Sequence, residues 1–227
     1  YVSENAVIDA SAGTTGDGGK VIVWADEVTR FYGSVFATGG ASAGDGGFAE
    51  VSGKGSLDFD AKAIDLSASN GVNGTLLLDP LNIILISGAE SNITGFTPGV
   101  DQTEAFADDA GLTSAFNVDA GGSFAGVTGT IELQATNDIT VSSAWDLATS
   151  TGNSNVNVVL RAGNDINVNA DITLDGTGTI TLEADGNTAD GAGDVNIASG
   201  VGITTANQAV NITANDIDLV GFINAGS

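Results

Sequence analysis

Gly16-Asp17-Gly18-Gly19 returns as Gly44-Asp45-Gly46-Gly47 after 28 residues, and each copy runs into an apolar alternation, Lys20–Trp24 in the first case and Phe48–Ser52 in the second. Downstream, Asn137-Asp138-Ile139 recurs as Asn164-Asp165-Ile166 after 27 residues and again as Asn215-Asp216-Ile217. A spacing of this size is one supersecondary unit that cannot bury its own apolar side, so copies must stack and share a core. The repeat therefore predicts an all-β parallel β-helix with one coil per echo. An immunoglobulin-like sandwich also accommodates many short strands, but it explains the echoes less well.

Short alternating runs supply the strands of such coils. They are Val7–Asp9, Ile64–Leu66, Thr75–Leu78, Ile83–Ile86, Thr130–Ala135, Val156–Leu160, Asp171–Leu174, Thr179–Glu183, Asp194–Ile197 and Ala209–Thr213. Period-two alternation places one face inside and one in water. Clusters of Gly, Asn and Asp separate the runs and supply the backbone conformations that tight corners need. The chain is read as one domain over 1–227: first coils over 1–86, an irregular insertion over 87–119, and later coils over 120–227. Within the insertion, Asp101 and Glu104 form a capping box that predicts a short helix over Gln102–Ala110, and Ser87–Pro98 reads as a projecting loop.

Charge narrows the partners. Twenty-nine acidic residues against five basic ones give a formal net charge of -24, which repels phosphate backbones and anionic lipid and attracts cations. No nucleic acid partner is expected. The longest apolar stretch, around Leu76–Ile86, is broken by Asp79, Pro80 and Asn82, so membrane insertion is not expected either. Tyr1 opens the chain without a Met, a basic segment or an apolar leader, and any targeting signal is expected to have been removed or to lie elsewhere.

Catalysis is poorly supplied. With no His and no Cys, neither a Ser-His-Asp nor a Cys-His arrangement can be assembled. Arg161 and Lys54 read as surface charges rather than as lyase bases. Paired carboxylates are all that glycoside hydrolysis needs, with Asp58 and either Asp60 or Glu50 as candidates, but among 29 acids some pair always looks suitable. The chain is expected not to be an enzyme.

Binding has two candidate sets. Calcium takes clustered carboxylate, amide and backbone oxygens, offered by Asp17 and Asp45 in the repeated Gly-Asp-Gly-Gly turns and by Asp185, Asn187, Asp190 and Asp194. Neither set follows the full calcium nonapeptide or EF-hand spacing, and acids at corners also serve to keep an elongated fibre in solution. A structural Ca2+ is the cofactor expectation; otherwise there is none. Trp24, Tyr32 and Phe36 gather with Phe31 and Phe48 in the first two coils and form a glycan platform if exposed, or core if turned inward. Asn137, Asn164 and Asn215 are expected to stack as an Asn ladder at a corner. Asn92-Ile93-Thr94 and Asn211-Ile212-Thr213 are glycosylation acceptors only where a suitable pathway exists.

Taken as an ordered series, Val7–Gly13, Gly16–Asp26, Phe31–Ser34, Gly39-Gly40, Gly46–Lys54, Asp65–Ala68, Gly74–Pro80 and the later Asn-Asp-Ile turns resemble the filamentous haemagglutinin-type exoproteins of Gram-negative bacteria and cyanobacteria. The resemblance spans most of the chain. It implies a right-handed parallel β-helix, export by a two-partner secretion route, and a place on the bacterial surface or outside the cell. The function it implies is that of a non-catalytic structural or adhesive module of a fibre or large secreted adhesin. Its expected partners are neighbouring domains of the same protein, end-to-end copies, and a glycan or cell-surface receptor. A carbohydrate-binding module is the alternative.

Overall fold

The computed structural model describes residues 1–88, 113–185 and 192–226. Its strands stack as a parallel β-solenoid with three faces. Face one is an uninterrupted seven-stranded sheet: Lys20–Ala25, Phe48–Gly53, Thr75–Pro80, Thr130–Ala135, Asn157–Ala162, Ile180–Glu183 and Val210–Thr213. The repeat identified in the sequence is its register, since Lys20 pairs with Phe48, and Trp24 with Ser52. On face two, Ile139 pairs with Ile166, Ile166 with Val195 and Val195 with Ile217. The third Asn-Asp-Ile echo therefore lies two coils beyond the second.

Alternation along each strand builds the axial core. Ala49, Leu76, Ile131, Val158 and Ile180 form one inward column of face one, and Val51, Leu78, Leu133, Leu160 and Leu182 form the next, all fully buried. Each of the Val, Leu and Ile side chains among them contributes roughly 1.5–3 kcal/mol relative to exposure. Ile83, Ile139, Ile166 and Val195 continue the packing on face two, as do Ile172 and Ile203 on face three.

Faces two and three break at the third coil. Face two begins as a pair, Val28–Phe31 with Ser56–Phe59, and resumes as six strands headed by Ser114–Asn117 beside Ile83–Ile86. Segment 87–119, read from sequence as lying outside the coils, thus returns to donate an in-register strand. The Ser114 hydroxyl accepts the buried Leu57 amide at 2.8 Å and so ties this strand to the second coil. Face three has Val7–Asp9, Ser34–Phe36 and Ala63–Asp65 below the break. Above it lie Trp145–Asp146, Ile172–Leu174, Gly202–Thr205 and Phe222–Asn224.

Aromatic rings fill the discontinuity. Phe31, Phe59, Phe116, Phe124 and Trp145 run in contact along the axis with centroid separations of 5.8, 6.4, 6.1 and 5.3 Å, and all five are fully buried. The expected helix over Gln102–Ala110 lies outside the described residues. A helix the pattern did not reveal spans Leu147–Thr151. Asp146 caps it by accepting the Thr149 amide, and it closes on left-handed Gly152. Its signal was Asp146 three residues before Thr149, with Gly152 after.

Phe116 should carry more of the stability than its place in an irregular segment implies. Phe116→Ala is expected to cost about 3–5 kcal/mol, measured by chemical denaturation. Val72→Ala, on the open surface, is expected to leave the midpoint unchanged.

Candidate functional site

The repeated Gly-Asp-Gly-Gly turns meet at the corner leading into face one. Asp17 Oδ1 accepts the Asp45 amide at 2.8 Å, and Asp45 Oδ1 accepts the Val72 amide of the following coil at 2.8 Å. The glycines let the corners approach: a Cβ on Gly47 would overlap the Gly19 carbonyl, and one on Gly74 the Gly47 carbonyl. Asp17 and Asp45 are therefore stacked one coil apart, as the spacing predicts, with one oxygen of each held by the backbone of the next coil.

At the corner entering face two a longer ladder runs through Asp138, Asp165, Asp194 and Asp216. Asp138 Oδ1 accepts the Asp165 amide at 3.1 Å, Asp165 Oδ1 the Asp194 amide at 3.0 Å, and Asp194 Oδ1 the Asp216 amide at 3.1 Å. The ladder expected of Asn137, Asn164 and Asn215 is corrected accordingly, for the aspartates that follow them make it. A carboxylate is acceptor-only and suits a column of amide donors. Asn164 joins from the side, its Nδ2 donating to Asp138 Oδ1 at 2.8 Å.

These two corners separate the calcium candidates. Asp17 and Asp45 sit at one and Asp185 and Asp194 flank the other, Asp185 with a left-handed φ of 61°; Asn187 and Asp190 lie outside the described residues. Among the described residues no three acidic side chains converge as a metal-binding group.

The aromatic candidates are likewise on separate surfaces. Trp24 projects from face one and is 52% exposed. Tyr32 is buried near the amino terminus, where it packs edge-on to Tyr1 and its hydroxyl donates to Asp58. Burial, then that hydrogen bond and the Asp58 charge, push the Tyr32 phenol well above its ordinary range. Phe36, half-buried, lies on face three between Asp9 and Asp65. Asp58 is thus held by Tyr32 on face two, away from Glu50 on face one, while Asp60 lines a cleft of about 310 Å³ with Tyr1, Glu4, Tyr32 and Lys62.

Face one brings together a group that sequence reasoning did not. Ser52 pairs with both Trp24 and Asp79, and Glu50 is diagonal to both of them. Diagonal neighbours on adjacent strands lie about 7–8 Å apart at Cα, within reach of long side chains. Buried Ser52 donates from Oγ to Glu50 Oε1 at 3.1 Å. Burial, and secondarily the Glu50 charge, raise the Asp79 carboxyl to about 6. Ile22 stands beside Trp24, 53% exposed. The bases on this outer surface are held elsewhere: Lys20 sits 4.8 Å above the Phe48 ring, and Arg161 pairs with Glu183 at 2.9 Å and with Glu132. The only signal available in the sequence was the repeat offset itself, which places residue 79 beside residue 52.

No family model and no curated protein matches the chain.

Asp165→Ala removes a ladder acceptor and is expected to cost about 1–2 kcal/mol, with Asp165→Asn retaining most of the stability because Oδ1 remains. Paired urea melts at neutral pH measure the difference. For Asp79, the folded-state value is raised above the ordinary 3.8, so the folded protein binds the extra proton and its stability falls as pH rises from about 4 to about 6. Asp79→Asn should remove that fall and melt higher than the parent above pH 6, the two converging below pH 4. Glu50→Gln should move the step to lower pH.

Proposed function

We propose that the chain is a non-catalytic structural and adhesive module of an extracellular bacterial fibre or large secreted adhesin. The carrying observation is that the repeated polar residues join coil to coil: the ladders through Asp17, Asp45, Asp138, Asp165 and Asp194 each bind the backbone of the next coil. A rod held together this way gives stiffness and length, and its outward side chains are left to meet other surfaces. The acidic surface favours a dispersed fibre.

The resemblance to filamentous haemagglutinin-type exoproteins supports the same reading, including secretion and display at the cell surface. Neighbouring domains or end-to-end copies are its natural structural partners.

Protease treatment of intact producing cells tests the proposal. The chain should be lost from whole cells while a cytoplasmic marker survives, and antibody should label unpermeabilised cells. Protection until lysis would overturn the extracellular assignment.

A further inference from the structure

Face one carries an apolar surface beside a like-charged pair, and these features are contiguous. Trp24 and Ile22 stand out from the first strand, and Glu50 of the second and Asp79 of the third lie half-buried on the same side of the sheet. Adjacent strands are about 4.8 Å apart, so the group spans about 10 Å across the sheet, the scale of one or two sugar rings. Ser52, two residues along the same strand, donates to Glu50 and holds it in place, and the two outer-surface bases are engaged with Phe48 and with Glu132 and Glu183. Exposed indole offers an apolar plate and attracts a cation over its face, while two neighbouring carboxylates attract positive charge and accept hydroxyl and ammonium hydrogens.

We propose that the outer surface around Trp24, Glu50 and Asp79 binds an amino-sugar glycan, its ring against Trp24 and Ile22 and its ammonium between the two carboxylates. Charge complementarity selects the class. A polyuronate or sialylated chain would bring carboxylates to a chain of net charge -24, and a fully acetylated sugar would leave Glu50 and Asp79 in mutual repulsion. A bound ammonium relieves that repulsion and favours the ionised form of Asp79, so in mildly acidic solution binding releases a proton from the Asp79 carboxyl to solvent.

The inference deepens the adhesive part of the proposed function and rests on it for the origin of the glycan. Failure to bind would leave the protease result on intact cells untouched, so the two fail separately.

The probe is the glucosamine hexamer, titrated at pH 6 by calorimetry in buffers of different ionisation enthalpy and followed by tryptophan emission. Trp145 is fully buried and Trp24 is the other of the two tryptophans, so protection from acrylamide quenching reports on Trp24. Expected results are protection of Trp24, proton release, and a tenfold or greater loss of affinity in Trp24→Ala and in Asp79→Asn, with proton release abolished in the latter. The N-acetylglucosamine hexamer should bind at least tenfold more weakly. Asp218→Asn, on face two, serves as the charge control and should bind as the parent does. Equal weakening by Asp218→Asn and Asp79→Asn would show diffuse attraction of a polycation and overturn the site. Equal affinity for the acetylated hexamer would overturn the ammonium, and unchanged quenching would overturn the role of Trp24. Thermal melts of each variant separate lost binding from lost folding.

Discussion

Everything in this protein depends on the parallel hydrogen-bond ladder between successive coils. A single coil has one strand per face and no internal partner for its backbone, so it gains structure only by lying in register on another. That condition governs the corners more strictly than the faces. A strand tolerates many side chains as long as alternation is kept, whereas a corner must follow the one beneath it at the spacing of strands. Any Cβ directed into the lower coil meets a carbonyl, as at Gly47 and Gly74. The repeats visible in the chain are accordingly corner residues: glycines where coils touch, and aspartates whose carboxylates reach the amide of the next coil.

The third coil shows what happens when that regularity fails. Faces two and three lose their continuous sheets there, and the structure restores the core with an extra strand, a row of five aromatic rings and a single helical turn capped by Asp146. Large rings fill space where the strand spacing no longer dictates the volume, and the repair is incomplete in polar terms. Trp145 Nε1, Thr128 Oγ1 and Ser150 Oγ are buried without a hydrogen-bond partner among the described residues, and an unsatisfied buried polar atom costs about 1–3 kcal/mol. All three belong to the segment around the break. These three unsatisfied groups gather at the break, while the coils on either side keep their ladders.

The coils were legible in the sequence because period and partner coincide in a parallel solenoid. The echo of Lys20–Trp24 in Phe48–Ser52 is both a repeat and a pairing table, and runs such as Thr130–Ala135 and Asp194–Ile197 appear as strands with the bounds that alternation indicates. Other features depended on information that a pattern does not carry. Choosing Asp over Asn as the ladder residue requires knowing which side chain points up the axis. The strand Ser114–Asn117 is separated from its partner Ile83–Ile86 by a long insertion with no echo, so no offset announced it. The grouping of Trp24, Glu50 and Asp79 was hidden for the opposite reason. Each residue is unremarkable within its own strand, and only the two consecutive offsets from 24 to 52 and from 52 to 79 bring them to one surface.

Separation of roles follows from alternation. Inward positions build the axial core, corner positions lock coil to coil, and outward positions on each face contribute little to either task. Outward residues can therefore diverge from one coil to the next, and they do: along one outward column of face one the chain places Ile22, Glu50, Leu77, Glu132 and Val159 in succession. A surface that varies from coil to coil beside a core that does not lets each stretch of the face carry its own chemistry. Where outward residues of three coils do converge, around Glu50 and Asp79, burial and repulsion alter the chemistry of one carboxyl. That local departure from a uniformly solvated acidic surface sets this part of face one apart from the rest of the sheet.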